Sequence, residues 1–440
     1  MTDDQELPET GGKPGAWARW NAITLWKRVM LGLLLGSVVG LGLHYGLGGE
    51  AAGAFTGAWL SPLGEAFVQL IRMLVVPLIF TSLASGVMAM GDPAKLGSVG
   101  LKSVALYMLT TLFAVSIGMV LGYVLRPGAG VDFAGVTPGE LQSEAPSIAQ
   151  RLIAIIPSNP FQALASGDIL AVIFFAILLG VAVLVMGEKA RPVGAVLEAG
   201  AEVTTKITQW VMELAPFGVF FLIATVTGEK GLSTFTSVAL LALCVYLGCL
   251  LQIVLVYFGI IGGILRLPLR RFWRGVLDAQ AVAYSTSSSS ATMPVTLSCT
   301  RFNLGVSKAV ASSVIPLGAT INMDGTSLYL GVLALFAAQA FGIPLSGADY
   351  LVIAATAVLA SIGTAGIPSA SLFLLATVLG AIGATGEQIA LMVGFLLPFD
   401  RLMDMMRTLT NVTGDITVAV AVAKSEGELD EGVFRSEAVV

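Results

Sequence analysis

The sequence predicts an all-α polytopic membrane protein with eight transmembrane helices and two re-entrant helical hairpins. Three observations support this class. Apolar side chains make up 56% of the 440 residues and charged ones only 12%, about half the charged share of an average soluble domain. Apolar runs recur at the length of about 20 helical residues that crosses a bilayer. In the last third of the chain, clusters of Ser, Thr, Gly and Pro interrupt these runs.

Six continuous apolar runs occupy the first part of the chain. They begin near Val29, Phe67, Lys102, Ile169, Trp210 and Val238. Residues 1–28 are polar and lack the apolar core of a cleavable signal peptide, so we expect a tail and an uncleaved first span. Gly32, Gly36 and Gly40 form a small-residue ridge on that span, which predicts a close helix–helix contact.

The distribution of Lys and Arg predicts the orientation. These residues precede the first span and recur after every second one, at Lys95, at Lys189 and in the cluster between Arg266 and Arg274. Such residues are enriched in cytoplasmic loops. We therefore expect a multi-pass protein of the cell (inner or plasma) membrane with both termini in the cytoplasm. The acidic residues 425–440 predict a solvated cytoplasmic tail.

Two interrupted segments alternate with two long helices after Arg274. The predicted order is a hairpin at about Arg274–Arg301, a helix at Gly305–Phe341, a hairpin at Asp349–Thr385 and a helix at Gln388–Lys424. Non-helical backbone at membrane depth is tolerated only where protein or a wet cavity surrounds it. Two hairpins, each followed by a spanning helix, form an inverted repeat, and such paired interruptions mark the binding site of a transporter.

A polar stripe runs along the last long segment. Asp400, Asp404, Arg407, Asn411 and Asp415 are spaced by 4, 3, 4 and 4 residues, which places them on one face of a helix. Intramembrane charges are costly unless they are paired or solvated. A packing salt bridge between Asp404 and Arg407 is the alternative, but it leaves Asn411 and Asp415 unexplained. The stripe therefore indicates a path or a site for a small charged solute.

A second polar cluster, residues 322–326, interrupts the seventh long segment. Gly318 and Gly325 would let the helix unwind there, and an unwound turn exposes backbone carbonyls. Together with Asp324 and Asp415 they would form the oxygen-rich cage that a hard monovalent cation requires. A simple kink in a core helix is the alternative, and it would need no aspartate.

The hairpin tips are rich in small residues, at 287–290 and 364–371. Small residues let backbone N–H groups approach an anion, although serines also hold membrane helices together. An intramembrane protease could use Asp324 and Asp404 as a dyad, but Arg407 would keep Asp404 ionised. A passive channel requires weaker binding than so dense a set of polar groups would give. The three cysteines and the single histidine, His44, support neither a zinc site nor disulfides.

Four strings carry a family resemblance: TSSSSATMP at Thr286–Pro294, PLGATINMDGT from Pro316, ASIGTAGIPSAS from Ala360 and DMMRTLTNVTGD from Asp404. In this order they resemble the glutamate/aspartate and dicarboxylate–cation symporter family, which includes the excitatory amino acid transporters. The similarity extends over about Leu25–Lys424. It implies a homotrimer in the lipid bilayer, an elevator-type mechanism, no enzyme activity and no nucleic-acid partner.

The resemblance also implies a division into domains. Residues 1–28 would be a cytoplasmic tail, and 29–272 mainly scaffold and trimerisation helices, with the third and sixth helices belonging to the transport domain. Residues 273–424 would be the core transport domain, and 425–440 an acidic cytoplasmic tail. The second hairpin would be the extracellular gate.

The same resemblance assigns residues to two sites. The substrate would be bound by Ser287, Ser288, Ser289, Met323, Thr326, Ile367, Ser371, Asp404, Arg407, Thr408 and Asn411. The coupling cations would be bound by Tyr107, Thr110, Thr111, Gly318, Thr320, Asn322, Asp324, Ser361, Ile362, Thr364, Asn411 and Asp415. No cofactor is implied besides the coupling ions.

The chemistry of the last helix favours one substrate class. An arginine fork suits a carboxylate, and an aspartate one turn away suits an ammonium, so we expect aspartate or glutamate. Asp324 and Asp415, with Thr and Asn oxygens beside them, favour sodium as the coupling ion. Proton-coupled uptake of glutamate, aspartate or a C4-dicarboxylate is the alternative. Archaeal or animal relatives carry a second arginine where this chain has Ser287 or Met405, and Arg401 is the candidate replacement. Many relatives also have glycine where this chain has Ser371.

Overall fold

A computed structural model of the chain describes residues 20, 23, 25–89, 93–131, 156–166, 169–361 and 370–436. Within these ranges the chain is helical apart from loops and one isolated β-bridge between Val306 and Leu429. The first group of helices is α1 Leu25–Leu47, α2 Gly49–Trp59, α3 Ser61–Ala89, α4 Pro93–Leu125, α5 Pro160–Ser166, α6 Ile169–Met186, α7 Arg191–Glu213, α8 Ala215–Lys230 and α9 Ser233–Leu251. Two π-helical segments, Gln252–Tyr257 and Gly259–Ile264, extend α9.

The second group starts after the basic cluster. It comprises α10 Leu269–Thr286, α11 Ser289–Ser298, α12 Lys308–Ile321, α13 Asp324–Phe341, α14 Gly347–Ser361, α15 Ala370–Ala381, α16 Gly386–Glu426 and α17 Glu431–Arg435. Helix α10 contacts α11, and α14 contacts α15, so two helix pairs occupy the positions where the sequence predicts hairpins. Their re-entrant placement in a bilayer stays a prediction.

Several helices have the length and composition of membrane spans. Among the described residues, four qualify: Lys27–Leu47, Ser98–Leu125, Val238–Ile264 and Lys308–Phe341. The pair Phe174–Val211 and Ala215–Glu229, bent by 54°, adds a fifth if it counts as one broken span. These helices confirm a multi-pass membrane protein, whereas the predicted count of eight spans stays a prediction.

The glycine ridge of α1 packs against α8. A Cβ added at Gly32, Gly36 or Gly40 would meet backbone atoms of Pro216, Phe220 or Ala224. The prediction of a close helix contact at this ridge is therefore confirmed. Helix α8 also contacts α2 and α3, which joins the early helices into one packed group.

Helix α13 lies at the centre of the second group. Nearly all of its residues are buried, and α4, α9, α14, α15 and α16 all contact it. Gly118 and Gly122 let α4 approach it closely, because an added Cβ at either position would press on Leu328 or Leu335. This packing brings polar residues of α4, of the segment after α9 and of α16 to the first turn of α13.

The chain after α16 is docked rather than fully solvated. We call residues 427–436 the C-terminal strap. Ser307 N donates to Glu428 O at 3.0 Å, and Asp430 N donates to Gly305 O at 2.8 Å, while the side chain of Phe434 is buried. The prediction of a solvated tail is thus wrong for the backbone of this stretch. Burial of the apolar Phe434 side chain is favourable in free energy and holds the backbone against the protein. Acidic side chains such as Glu428 and Asp430 do face solvent.

Ion pairs reinforce the end of α16. Lys102 donates to Glu426, and Lys424 lies 3.0 Å from Glu431. Hydrogen bonds from Lys102 and Ser98 lower the pKa of Glu426 below its usual value of 4.5. A lowered carboxyl pKa means that these contacts stabilise the fold above about pH 4.5 and lose that effect as the pH falls further.

Replacing Phe434 with alanine should release the strap. Removing a buried phenylalanine side chain typically costs about 3–5 kcal/mol, so amide hydrogen exchange at Ser307 and Asp430 should accelerate markedly. Arg435→Ala is the matched control, since Arg435 is exposed and its one ion pair in the described chain is with Glu431, and exposed ion pairs contribute little to stability. Equal exchange rates in the Phe434→Ala and parent proteins would contradict the docking role of Phe434.

Candidate functional site

Arg407 lies at the centre of the polar stripe of α16. Its side chain is fully buried, and its Nη2 donates to Asp400 Oδ1 at 2.9 Å and to Asp404 Oδ1 at 2.8 Å. The guanidinium carbon lies 3.9 Å from the centre of the Tyr329 ring, and the Tyr329 hydroxyl donates to Asp400 Oδ1 at 3.1 Å. The stacked ring and the shared carboxylate fix the guanidinium in one orientation.

Most of the donors of Arg407 are uncommitted. Nε carries one N–H and Nη1 carries two, and neither atom has a hydrogen-bond partner among the described residues. A buried donor without a partner is costly, and a guanidinium that keeps several such donors is suited to an anionic ligand. The salt bridge with Asp404, which the sequence offered as a packing explanation, is present, but it accounts for only part of the binding capacity of Arg407.

The charged side chains around Arg407 do not neutralise one another. Asp400, Asp404 and Arg407 together carry one positive and two negative charges in their ionised forms, and Asp400 Oδ2 has no partner in the described part of the chain. A ligand that brings both an ammonium and a carboxylate could satisfy Asp404 and Arg407 at the same time. The arrangement therefore matches a zwitterionic molecule better than a simple anion.

Asp324 is the centre of a second, fully buried cluster at the start of α13. Thr111 Oγ1 donates to its Oδ1 at 2.7 Å, and Thr110 Oγ1 lies 3.3 Å from the same atom. Tyr257 OH donates to Oδ2 at 2.7 Å, and Gln252 Nε2 donates to it at 3.2 Å. The carboxylate is thus held from both sides by neutral groups, and no Lys or Arg among the described residues forms an ion pair with it.

The break between α12 and α13 joins the two clusters. Asn322 and Met323 leave helical geometry, with φ and ψ of −89° and 83° and of −111° and 53°. Asn322 Nδ2 donates to Asp415 Oδ1 at 2.9 Å, and Gly325 N donates to Asn411 Oδ1 at 2.7 Å. Asn411 therefore connects the unwound turn to the helix that carries Arg407. The predicted unwinding at this motif is observed.

Two glycines allow this close packing. A Cβ at Gly318 would clash with the carboxylate of Asp415 and the hydroxyl of Tyr107, and one at Gly325 would clash with the backbone of Arg407. Any larger residue would push α12 or α13 away from α16. The predicted role of these glycines in unwinding is thus accompanied by a second role in close approach.

The first tip turns at Ser287. This residue has a φ of 54°, in the left-handed region, and Ser288 caps α11 by accepting a hydrogen bond from Ala291 N. The hydroxyl of Ser287 is buried without a partner in the described chain, and so is that of Ser371 at the start of α15. Both tips therefore contribute unsatisfied hydroxyl groups, although the structure gives no hydrogen bond between either hydroxyl and the stripe.

Arg401 links α16 to the first tip. Its Nη2 donates to Thr286 O at 3.1 Å. Ser287 and Met405 occupy the positions where the resemblance implies a second arginine, and Arg401 brings a guanidinium to this tip from α16. Its positive charge lies at the carbonyl end of α10, where a cation is favourable.

The remaining predicted residues differ in their surroundings. Ser289, Met323, Thr326 and Thr408 are buried in this region. Thr320 and Ser361 donate to backbone oxygens of Leu317 and Val358 in their own helices, and Tyr107 donates to Val314 O. Ile362, Thr364 and Ile367 lie outside the described residues.

Sequence reasoning missed four residues that the structure adds to these clusters. They are Asp400, Tyr329, Gln252 and Tyr257. Asp400 belonged to the stripe but received no role, although its distance of two helical turns from Arg407 was a usable signal. Gln252 and Tyr257 are polar groups inside a strongly apolar span, which is also a signal of function.

The site does not resemble a transition-metal centre. Within the described ranges no group of three or more His, Cys, Asp or Glu side chains could hold a metal ion. The available ligands are instead carboxylate, amide, hydroxyl and carbonyl oxygens, which suit hard cations.

Comparison with known proteins identifies relatives that match nearly the whole chain. Residues 25–425 match the model of the sodium:dicarboxylate symporter family. A proton/sodium-glutamate symport protein of Bacillus caldotenax is 33% identical over 92% of this chain and 95% of its own length. A C4-dicarboxylate transport protein of Anaeromyxobacter dehalogenans (strain 2CP-C) is 35% identical over 94% and 92%. A proton/glutamate-aspartate symporter of Escherichia coli (strain K12) is 32% identical over 92% and 93%.

Proposed function

Since this chain belongs to the sodium:dicarboxylate symporter family, we propose that it takes up the acidic amino acids L-aspartate and L-glutamate together with sodium ions. It is a secondary transporter and not an enzyme, as its family is one of symporters. Relatives are named for glutamate, aspartate and C4-dicarboxylates, so the residues of the site must decide among these substrates.

The observation that carries this proposal is the geometry around Arg407. Three buried N–H donors of its guanidinium remain for the side-chain carboxylate of the substrate. Asp404, bound to the same guanidinium at 2.8 Å, would bind the α-amino group. The backbone around Ser289 and the side chains of Thr326, Thr408 and Asn411 would complete the site. A C4-dicarboxylate has no ammonium and would place its second carboxylate near Asp404, which is unfavourable.

The sodium sites are proposed at Asp324 and Asp415. Both carboxylates are buried and lie among hydroxyl and amide groups with no basic partner in the contacts that the structure gives. A hard monovalent cation would neutralise such a carboxylate and gain oxygen ligands from the unwound turn at 322–323. Proton symport is the competing possibility, because a buried carboxylate could take up a proton instead.

The wider architecture forms part of the proposal. Eight spans, two re-entrant hairpins and cytoplasmic termini would place the tips at 287–290 and 364–371 near the middle of the cell membrane. Residues 273–424, together with α4 and the α9 span, would move as the transport domain, since these helices pack on α13. The other helices would form the scaffold of a homotrimer, and the second helix pair would be the extracellular gate.

Uptake into proteoliposomes tests this function. We expect purified protein to accumulate labelled L-aspartate under an inward sodium gradient at constant pH, with competition by L-glutamate. Labelled succinate should accumulate far more slowly, because it lacks the ammonium that Asp404 requires. Accumulation of aspartate under a pH gradient without sodium would refute sodium coupling, and preferential accumulation of succinate would refute the choice of substrate.

A further inference from the structure

The span that begins with α9 changes its helical type in the middle. At Gln252 the α-helix becomes a π-helix, which runs to Tyr257. π-helical turns are rare and frequently occur at functional sites. The first and last residues of this turn are the only polar side chains in the stretch Gln252–Tyr257, and both are fully buried.

Both of these residues donate to one oxygen atom. Tyr257 OH lies 2.7 Å from Asp324 Oδ2, and Gln252 Nε2 lies 3.2 Å from it. Gln252 Nε2 also donates to Thr110 O at 3.0 Å. Because this nitrogen faces two acceptors, the orientation of the amide is fixed, with its nitrogen toward Asp324.

The π-helical turn is what makes this double contact available. In an α-helix, residues five apart point about 140° away from each other at 3.6 residues per turn. Closing the turn with i→i+5 hydrogen bonds brings residues five apart to neighbouring positions. Gln252 and Tyr257 can therefore reach the same carboxylate oxygen only because the helix is widened between them.

We infer that Gln252 and Tyr257 are positioning residues that set the sodium affinity of the Asp324 site. They hold Oδ2 and leave Oδ1 on the side of Thr110 and Thr111, so the carboxylate cannot rotate when a cation binds to Oδ1. Gln252 also holds the backbone carbonyl of Thr110 in place, and this oxygen is a further candidate ligand of the cation. This inference rests on the proposed sodium-coupled function and adds residues that act on the coupling ion rather than on the substrate.

A purely structural role accounts poorly for the pair. Gln252 Oε1 is buried and has no donor in the part of the chain that the structure describes, and a buried amide oxygen without a partner is destabilising. Apolar residues would fill this interior without that cost, since the surrounding span is otherwise apolar. The hydrogen bonds that both side chains donate to Asp324 explain the pair better.

Two conservative variants of the full-length protein test the inference. Tyr257→Phe removes only the hydroxyl, and Gln252→Met replaces the amide by an apolar chain of similar length. For each, aspartate uptake is measured in proteoliposomes against sodium concentration at saturating aspartate. We expect the half-saturating sodium concentration to rise about tenfold, as for loss of a hydrogen bond to a charged group, while the maximal rate changes less than twofold. The sodium concentration that gives half of the maximal thermal stabilisation, measured without substrate, should rise by the same factor.

Tyr246→Phe is the matched control. Tyr257 OH also lies 3.2 Å from Thr410 O of α16. Tyr246 is on the same helix, and its hydroxyl likewise donates to a backbone oxygen of α16, Leu402 O, but it does not contact Asp324. Its half-saturating sodium concentration should equal that of the parent. Unchanged sodium dependence in both variants, or a fall in maximal rate alone, would overturn the inference.

The experiment distinguishes failure of the positioning role from failure of the proposed function. If the parent accumulates aspartate with sodium while the variants match it, the function stands and the positioning role fails. If the parent accumulates no acidic amino acid, the proposed function fails, and thermal stabilisation by sodium alone then decides the inference. Absence of any sodium-dependent stabilisation in the parent would overturn it.

Discussion

Replacement of Arg407 by cysteine is expected to abolish aspartate uptake. The change removes the three donors proposed for the substrate carboxylate and leaves Asp400 and Asp404 without their shared guanidinium. Truncating one partner of a buried, hydrogen-bonded charge pair costs about 2–5 kcal/mol of binding free energy, so kcat/KM for aspartate should fall by about 30-fold or more. Because the variant keeps Asp404, the group proposed to bind the α-amino group, a small neutral amino acid should be carried in place of aspartate.

Two controls separate this effect from misfolding. Arg407→Lys keeps a positive charge but not the planar fork, and it should also lose most aspartate transport. Sodium-dependent thermal stabilisation should persist in both variants, since the Asp324 cluster makes no hydrogen bond to Arg407 in the described structure. Aspartate uptake at the parent rate by Arg407→Cys would show that the carboxylate role is wrong.

Replacement of Asp324 by asparagine is expected to abolish sodium-driven accumulation. The amide has no charge for a cation, and it presents N–H donors where Asp324 now accepts from Tyr257 and Thr111. At least one of these groups then loses its acceptor, at about 1–3 kcal/mol. We expect no sodium-dependent increase in melting temperature, measured against the same concentration of choline chloride, and no uphill aspartate uptake.

Asp349→Asn is the matched control for this change. Asp349 is also buried, but its carboxylate accepts hydrogen bonds from Ser346 N and Oγ at the start of α14, both at 2.7 Å. This variant should lower the melting temperature and keep its dependence on sodium. If Asp324→Asn accumulates aspartate with unaltered sodium dependence, Asp324 is not a cation ligand.

Much of the last third could be predicted from the sequence because its signals are local. The spacing of the stripe on α16 requires only helical periodicity, and the unwound turn at Asn322 and Met323 follows from flanking glycines and an aspartate in an apolar segment. The helix pairs also begin and end near the predicted breaks. The first pair starts at Leu269 rather than Arg274, since Pro268 allows the helix to begin directly after it.

Contacts between distant elements could not be predicted in this way. Gln252 and Tyr257 reach Asp324 only through a π-helical turn, and helical periodicity assumes a regular α-helix. Tyr329 stacks on Arg407 from a different helix. The docking of Phe434 depends on the backbone at Gly305 and Ser307, which lies far away in sequence. Each of these contacts depends on tertiary packing, for which a single sequence carries no local signal.

The strap also has a consequence for how the chain is made. Gly305 emerges from the ribosome 125 residues before its partner Asp430, counting from 305 to 430. At about 5–20 residues per second, this polar backbone waits roughly 6–25 s for its hydrogen bonds. During that interval the loop after the first helix pair lacks the hydrogen bonds that the strap forms with Gly305 and Ser307. A chain that stops before residue 428 would lack these hydrogen bonds permanently, so this loop can close only after the strap has been made.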